Sequence, residues 1–351
     1  MAAPHETFAL GDFTFGDGTT LPDAHIAFAT YGELNAARDN AIVLPTWFVG
    51  THADHEWMID EGGVLDTSRY FVVVPSMFAN GLSSSPSNTP SPHDRARFPK
   101  ASIQDNVRAQ HRLVTEHLGI TGVELVTGGS MGAFQAFQWG LSHPDLVRRI
   151  MPTGGASQVS PHCRVFLEGV KAALTADPAY ADGDYDAPPE RGLRAVGRVY
   201  AGWGLSQAFY RQGLFRQMGF DTVDAFLVDF WEAFFVDLDA NDLLSQLDTW
   251  QRADLAATEG YDGDLARALR DIRAMAVLAP GEKDLYFPPE DMAWEAEQMP
   301  DAELAVIPGV WGHFSDSGVD PDCNEAVRAT AHRLLAREPG APSEGARAAR
   351  G

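Results

Sequence analysis

A serine between glycines, in the segment Gly-Gly-Ser-Met-Gly at positions 128–132, is the stretch of this sequence best suited to chemistry. An apolar run, Val123 to Thr127, precedes it and has the composition of a buried parallel strand. Apolar side chains recur at helical spacing after it. Strand, tight turn and helix predict a nucleophile elbow, on which Ser130 attacks an acyl carbonyl. The alternative is a glycine-rich turn without chemistry, because the bare pattern arises by chance in roughly one such chain in six.

A serine nucleophile needs a base, and the base needs a carboxylate that orients it. On an elbow of this kind the chain order is serine, acid, histidine, with the last two in loops after late strands. Asp284 follows the predicted strand Ala274–Leu278, and His313 follows the predicted strand Glu303–Ile307. Ser130, Asp284 and His313 are therefore the predicted catalytic triad, and Glu282 is the rival for the acid.

Two backbone N–H groups must also bind the oxyanion that forms during acyl transfer. One is expected from Met131, the residue after the nucleophile, at the start of the following helix. The other is expected from the loop after the predicted strand Ala41–Leu44, which makes Trp47 or Phe48 the donor. This role belongs to the backbone, so the bulky side chains at these positions do not argue against it.

The elements that position these residues follow an α/β order. Strands and helices alternate in residues 1–157 and again in residues 269–337, which predicts a core with a mostly parallel central sheet. Residues 158–268 are helical in character and rich in large aromatic residues, and we interpret them as a helical cap inserted into that core. Residues 338–351 are of low complexity and are expected to form a disordered tail.

Periodicity and apolar runs give more detailed expectations. The predicted strands, the first two of them antiparallel, are Phe8–Phe15, His25–Thr30, Ala41–Leu44, Tyr70–Val74, Val123–Thr127, Arg149–Pro152, Ala274–Leu278 and Glu303–Ile307. Besides the helix after Ser130, the predicted core helices are a short one at His55–Asp60 and longer ones at Ile103–Leu118, Asp291–Gln298 and Asn324–Ala336. Residues Ala79–Pro99 lack periodicity, and such a long loop is usually functional or flexible.

Composition excludes several classes of function. The 351 residues carry 49 acidic and 26 basic side chains, a net charge of −23, which disfavours binding to nucleic acid or an anionic membrane. The two cysteines, Cys163 and Cys323, suggest a reducing compartment, and with no signal or transmembrane segment we expect a cytoplasmic protein. No G-x-G-x-x-G follows the first strand, so no cofactor is predicted. The histidines and carboxylates of residues 52–56 lack a metal-ligand spacing, so no metal site is predicted either.

Three further segments give the sequence a family resemblance. They are Tyr31-Gly-Glu-Leu-Asn35 followed by Asn40, Leu65-Asp-Thr-Ser-Arg-Tyr-Phe71 before a strand, and Gly129-Ser-Met-Gly132 with Gln135 and Ala136 behind it. With them the chain resembles the homoserine O-acetyltransferase family of α/β-hydrolases over residues 8–336. The resemblance implies an α/β-hydrolase fold, an acyl-enzyme on the elbow serine, a helical lid, and a homodimer formed through that lid.

Departures from that family pattern point to a different acyl acceptor. The acetyltransferases carry an Asp directly after the catalytic histidine, which grips the homoserine amino group, whereas this chain has Phe314. The oxyanion loop, residues 46–50, also differs, and the cap segment, residues 198–204, does not look like the arginine-bearing substrate segment of the homoserine enzymes. The chain thus resembles the hydrolase branch of the family. We expect a serine carboxylesterase for small acyl, above all acetyl, esters.

Two alternatives stay open at this point. The first is an O-acyltransferase that moves an acyl group from acyl-CoA to an alcohol such as homoserine, because the same triad serves both reactions. The second is an inactive relative that binds a ligand or a partner, although the intact set of Ser130, Asp284 and His313 argues against it.

Overall fold

A central eight-stranded sheet organises the computed structural model, which describes residues 4–338. The strand order is β1-β2-β6-β3-β7-β8-β9-β10, and a separate parallel pair joins β4 to β5. Strands β1 and β2 form an antiparallel pair, β2 runs antiparallel to β6, and all other neighbours in the large sheet are parallel. The strands are β1 Glu6–Thr14, β2 Thr20–Tyr31, β3 Ala41–Val43, β4 Ile59–Asp60, β5 Leu65–Asp66, β6 Phe71–Pro75, β7 Val123–Gly129, β8 Arg149–Thr153, β9 Met275–Leu278 and β10 Ala302–Leu304.

Apolar side chains cover both faces of the sheet, as expected for parallel strands buried between helices. Strand β3 shows the pattern: Ile42 packs into the core on one face, while Ala41 and Val43 pack into the core on the other. On β7, Leu125 and Val126 divide between the two faces in the same way. This two-sided burial explains why the parallel strands are continuous apolar runs and not alternating ones.

Helices flank the sheet and fill the insertion between β8 and β9. The helix after the elbow is buried from Met131 to Leu141, so it packs as a central element and not as an amphipathic surface helix. The helices are α1 Ile103–Arg112, α2 Met131–Ser142, α3 Pro161–Thr175, α4 Glu190–Ala201, α5 Gln207–Gln212, α6 Val223–Phe226, α7 Ala233–Val236, α8 Ala240–Gln251, α9 Leu265–Arg270, α10 Pro289–Gln298 and α11 Pro321–Leu335. Helices α3 to α8 lie in the segment predicted to form a cap.

Most element predictions agree with the structure within a few residues. The last strand is shorter than the predicted Glu303–Ile307, because β10 ends at Leu304. Beyond it, backbone hydrogen bonds from Ala305 and Ile307 and an isolated bridge from Gly281 to Ile307 continue the pairing. The short helix expected at His55–Asp60 is a 3₁₀ helix that spans His52–Met58. Of the predicted tail, residues 339–351 lie outside the described part of the chain.

The segment Ala79–Pro99 has almost no regular structure, as predicted, yet it is held by many polar contacts. The side chain of Asn80 accepts hydrogen bonds from the amides of Leu82 and Ser83 at 3.1 Å each. The amide and hydroxyl of Ser87 donate to Asp242 on α8 at 2.9 and 2.6 Å. Asparagine and serine side chains replace secondary-structure hydrogen bonds here, which explains the absence of a periodic pattern.

Candidate active site

Ser130 lies on a sharp turn between β7 and α2, as the sequence predicted. Its backbone has φ 54° and ψ −119°, a conformation that costs a non-glycine residue energy and that active sites often retain. The flanking glycines allow a close approach of the loop after β3. A Cβ on Gly132 would lie 2.6 Å from the carbonyl oxygen of Pro45, and a Cβ on Gly128 would lie 3.0 Å from the same atom. Any larger residue would push that loop away from Ser130.

The predicted acid and base are in direct contact. Nδ1 of His313 lies 2.7 Å from Oδ2 of Asp284, whose side chain is fully buried. The other carboxylate oxygen of Asp284 accepts hydrogen bonds from the amides of Tyr286 and Phe287 at 2.8 and 3.2 Å. With Asp284 fixed in this way, the proton of the imidazole is held on Nδ1 and Nε2 is left free to accept one.

The end of β8 and the residues after it connect the serine to this pair. The amide of Ser130 donates to the carbonyl oxygens of Thr153 and Gly154 at 3.1 and 3.2 Å. A Cβ on Gly154 would lie 3.6 Å from Oδ2 of Asp284. The nucleophile and the acid thus pack against the same residue, and the structure brings the three predicted triad segments together at the carboxyl edge of the sheet.

A second carboxylate lies beneath the triad. Asp316 is buried, and its Oδ2 accepts a hydrogen bond from the hydroxyl of Thr153 at 2.6 Å. A Cβ on Gly154 would lie 3.3 Å from Oδ2 of Asp316, so this carboxylate packs against the same glycine as Asp284. Burial raises the pKa of Asp316, and the opposing effects of His313 and of the Thr153 hydrogen bond do not cancel that rise.

The two carboxylates set the proton affinity of the base. Burial of His313 by itself lowers the pKa of the imidazole, because it disfavours the charged form. The charge and the hydrogen bond of Asp284, with a further contribution from the charge of Asp316, outweigh burial and raise the pKa above its ordinary value. Such an arrangement favours the protonated form of the imidazole, the form that a general base takes when it accepts a proton.

Backbone donors are available where the oxyanion hole was predicted. Met131 begins α2, so its N–H has no partner within the helix. In the loop after β3, the amide of Thr46 donates to Pro75 at 3.3 Å and that of Val49 donates to Gln246 at 2.6 Å. Within residues 4–338 no acceptor is bonded to the amides of Trp47 and Phe48, which lie between these two anchored positions.

Aromatic side chains of both the insertion and the core surround the candidate site. The ring of Tyr286, from the core, lies 4.7 Å from that of His313 in an edge-on contact. The ring of Phe314, directly after His313, lies 5.5 Å from that of Trp231 on the insertion. The ring of Phe48 is stacked on that of Tyr200 at 5.8 Å. Phe314, which stands where the acetyltransferases have an aspartate, is therefore part of a group of packed rings. We call this group the aromatic wall; it consists of Phe48, Tyr200, Trp231, Trp250, Tyr286 and Phe314.

The insertion also anchors two of the active-site loops. Besides accepting from Val49, the side chain of Gln246 on α8 donates to the carbonyl oxygen of Phe78 at 3.1 Å. The amide of His313 donates to the carbonyl oxygen of Gly204 at 3.0 Å. The oxyanion loop and the histidine loop are thus both tied to the insertion.

Sequence reasoning missed Asp316 and Gln246. Asp316 is three residues after His313 in a segment without periodicity, and one acidic residue among 49 carries no pattern. Gln246 belongs to an ordinary amphipathic helix, and its partners are 197 and 168 residues away in sequence. The sign that Gln246 holds these loops is its complete burial, because a buried amide needs hydrogen-bond partners. The sequence alone does not reveal that burial.

The described part of the chain gives no positive sign of a metal site or of a membrane span. Across residues 4–338 no three histidine, cysteine, aspartate or glutamate side chains are grouped as ligands of an ion would be. Over the same residues, none of the helices combines the length and the apolar character needed to cross a bilayer.

Comparison with known proteins agrees with this geometry. Residues 42–315 match the family model described as the alpha/beta hydrolase fold. The chain belongs to the α/β-hydrolases. It is 36% identical to a "Probable esterase" of Corynebacterium glutamicum over 90% of each chain, and 35% identical to the ethyl acetate hydrolase of Pseudomonas veronii over 95% of each chain.

A solved esterase structure and a homoserine O-acetyltransferase are also similar to this chain. The structure of the acetyl esterase MekB superposes with a TM-score of 0.93 at 35% identity, covering 95% of this α/β-hydrolase and 97% of that chain. The homoserine O-acetyltransferase of Trichormus variabilis is 28% identical over 86% of each chain. These findings confirm the predicted fold, the resemblance to the acetyltransferase family and the assignment to its esterase branch. The chain is an esterase of the α/β-hydrolase fold.

Proposed function

We propose that this esterase hydrolyses small acyl esters, above all acetyl esters, through an acyl-enzyme on Ser130, with His313 as base and Asp284 as its orienting acid. The observation that carries the proposal is the 2.7 Å contact between His313 Nδ1 and Asp284 Oδ2, packed against the strained turn of Ser130. Esterase relatives that share about a third of the sequence over most of the chain, one of them named an ethyl acetate hydrolase, support the substrate class.

The catalytic steps follow from the positions of these groups. Ser130 Oγ attacks the ester carbonyl while Nε2 of His313 accepts its proton, and Asp284 stabilises the imidazolium. The oxyanion binds to the N–H of Met131 and to that of Trp47 or Phe48. His313 then gives the proton to the departing alcohol, and the reverse sequence with water releases the carboxylic acid.

Two features favour a small substrate and water as the acyl acceptor. Ser130 is only 7% exposed, which favours a compact substrate. Phe314 packs on Trp231 where a carboxylate would bind an amino-alcohol acceptor. Since an ammonium group without its carboxylate partner loses several kcal/mol of recognition, on the order of 2–5, acyl transfer to homoserine is disfavoured.

Partitioning of the acyl group tests the proposal. The purified protein is supplied with p-nitrophenyl acetate or acetyl-CoA, with and without homoserine and simple alcohols, and free acetate is measured against acylated acceptor. We expect acetate to dominate under every condition. Diversion of most of the acetyl group to an acceptor would establish the acyltransferase instead.

A serine variant separates the site assignment from the substrate question. Ser130→Ala is expected to lower esterase activity by about 10⁴-fold or more and to abolish labelling by a fluorophosphonate probe, with an unchanged circular dichroism spectrum. Ser157→Ala, at a buried serine bonded to Glu295 and outside the triad, controls for the loss of a serine hydroxyl in the core. Retained activity in Ser130→Ala would refute the assignment.

The proposal extends to organisation and location. Residues 1–157 and 269–337 act as the catalytic core and residues 158–268 as its cap, and exposed apolar cap residues such as Val165 and Phe234 (65% and 49% exposed) favour a homodimer formed through the cap. Sedimentation equilibrium tests the dimer, and Phe234→Glu is expected to shift the equilibrium toward monomer.

The proposed location is the cytoplasm. The free, buried cysteines Cys163 and Cys323 favour it, because a reducing compartment keeps thiols unpaired.

A further inference from the structure

Besides the indole Nε1 of Trp231, three hydrogen-bond donors in the aromatic wall have no acceptor within residues 4–338. The hydroxyls of Tyr200 and Tyr286 and the indole Nε1 of Trp250 are buried, and none has a hydrogen-bond partner within residues 4–338. The residues are 7%, 1% and 1% exposed. A buried polar group without a partner costs about 1–3 kcal/mol, so three of them in one cluster require an explanation.

The three residues surround the catalytic machinery. The ring of Tyr286 contacts His313, and that of Tyr200 stacks on Phe48 in the oxyanion loop. Trp250 lies 5.8 Å from Phe48 and 5.8 Å from Tyr286, measured between ring centroids. Tyr200 and Tyr286 are themselves 6.3 Å apart. The rings that carry the unpartnered donors therefore form a connected group that reaches from His313 to the oxyanion loop.

Other tyrosines show that the cap normally provides acceptors. The hydroxyl of Tyr185 donates to Asp239 at 2.7 Å, and that of Tyr210 donates to the carbonyl oxygen of Ala201. Of the tyrosine hydroxyls in residues 4–338, those of Tyr200 and Tyr286 are the buried ones without a partner. Among the tyrosine hydroxyls of residues 4–338, the buried ones without a partner therefore belong to the aromatic wall.

The missing partner has a defined chemistry. Trp250 can only donate, and the hydroxyl protons of the two tyrosines also require an acceptor. Around these donors the described residues supply mainly apolar rings, and the acceptor beside Trp250 is the buried thiol of Cys163, which accepts only weakly. A neutral oxygen of a ligand, such as an ether, keto or hydroxyl oxygen, would accept from these donors without adding a charge to an apolar site. The carbonyl oxygen of the ester itself is not this group, because the backbone donors of the oxyanion hole bind it.

We propose that Tyr200 and Tyr286, with Trp250 beside them, form a polar subsite for a second oxygen of the substrate. The preferred substrates are then small esters that carry an ether, keto or hydroxyl oxygen in addition to the ester group. This inference rests on the proposed esterase function and adds a specificity determinant to it. Recognition of that oxygen by buried donors discriminates against an all-carbon ester of the same shape.

Pairs of isosteric esters test the subsite. We compare 2-methoxyethyl acetate with butyl acetate, where the additional oxygen is in the alcohol, and ethyl methoxyacetate with ethyl butanoate, where it is in the acyl group. For each pair, kcat/KM is measured for the wild-type enzyme, Tyr200→Phe and Tyr286→Phe. Because intrinsic reactivity is the same for all enzyme forms, only the change in the ratio of the two esters reports on the subsite.

We expect each substitution to lower the preference for the oxygenated ester by about 3- to 10-fold in at least one pair, the value of a neutral hydrogen bond. The pair that responds identifies whether the alcohol or the acyl group binds there. Tyr210→Phe, whose hydroxyl already has a partner within the cap, is the matched control and should keep the wild-type ratio.

Each outcome is decisive. Ratios that stay at the wild-type value in both tyrosine variants, while all esters are hydrolysed, would overturn the subsite and leave the esterase function intact. Failure of the wild-type enzyme to hydrolyse any of the four esters would overturn both proposals. Thermal unfolding provides an independent check on folding, because removing an unpartnered buried hydroxyl should not lower the melting temperature.

Discussion

The triad and the aromatic wall that covers it are built in opposite ways. In the triad, Asp284 accepts hydrogen bonds from His313 and from two backbone amides, and Ser130 is fixed through its own amide. In the wall, rings pack on rings, and the donors of Tyr200 and Tyr286 have no partner. The reacting groups are held by the protein, whereas the wall keeps unused hydrogen-bonding capacity.

The contrast separates two tasks of an active site. Groups that stabilise charge in a transition state work best when they are held in place before the substrate arrives. Groups that select a substrate must be free to bond to it, and unpaired donors reject ligands that leave them unpaired. In the proposed roles, the triad serves the first task and the aromatic wall serves the second. Variants of each region should therefore fail in different ways.

The largest expected effect concerns the acid. Asp284→Asn should lower kcat by about 10³- to 10⁴-fold, because an amide in this place favours the wrong tautomer of His313. Glu282→Gln is the matched control: Glu282 is exposed and paired with Lys283 at 2.8 Å, and its substitution should leave kcat within about twofold. Steady-state kinetics on p-nitrophenyl acetate measure both. Equal losses in the two variants would contradict the contrast between a fixed core and its surroundings.

An intermediate effect is expected at the oxyanion loop. Gly132→Ala places a methyl group 2.6 Å from the carbonyl oxygen of Pro45, so the loop must move and kcat should fall by about 10²-fold. Gly169→Ala, in cap helix α3 where no atom lies within 4 Å, should leave kcat unchanged and stabilise the fold by about 0.5–1 kcal/mol. Kinetics together with urea unfolding measure both. A loss of stability without a loss of kcat in Gly132→Ala would mean that the loop does not supply an oxyanion donor.

The smallest expected effect is a change in pH dependence. His313 must be neutral to accept the proton of Ser130, so activity rises as pH increases through the pKa of this histidine. Asp316 helps to raise that pKa, and Asp316→Asn should therefore move the acid limb of the kcat/KM profile to lower pH. Thr153→Val removes only the hydrogen bond to Asp316 and should move the limb less. An acid limb at the wild-type pH in Asp316→Asn would show that Asp316 does not act on the base.

The sequence contained most of the information needed for the core. Val123–Gly129 and Met131–Ser142 are recognisable because a buried strand and a helix around a G-x-S-x-G motif leave few alternatives. Asp284 and His313 follow from chain order and from their places after the late strands. Here the local sequence pattern and the overall fold agree: the order of strands and loops was enough to predict the contact between Asp284 and His313, which are 29 residues apart in sequence.

The cap was predictable only as a class of structure. Its aromatic content indicated a packed apolar region, but which rings face the site depends on contacts between distant elements, such as Tyr200 with Phe48 and Trp231 with Phe314. The sequence does not show whether a tyrosine hydroxyl has a hydrogen-bond partner, because that depends on the neighbours it meets in the folded chain. The same holds for Asp316, whose role comes from burial beside Gly129 and Gly154.

The hydrogen bonds of Gln246 and Gly204 have a consequence for the loops of the site. Gln246 ties α8 to the oxyanion loop through Val49, and Gly204 holds the backbone of His313. A movement that lifted these parts of the cap would release both the oxyanion donors and the base from their positions. The contacts of the cap and the geometry of the candidate active site are therefore coupled, so a variant that loosens one of these hydrogen bonds is expected to disturb the loops of the site as well.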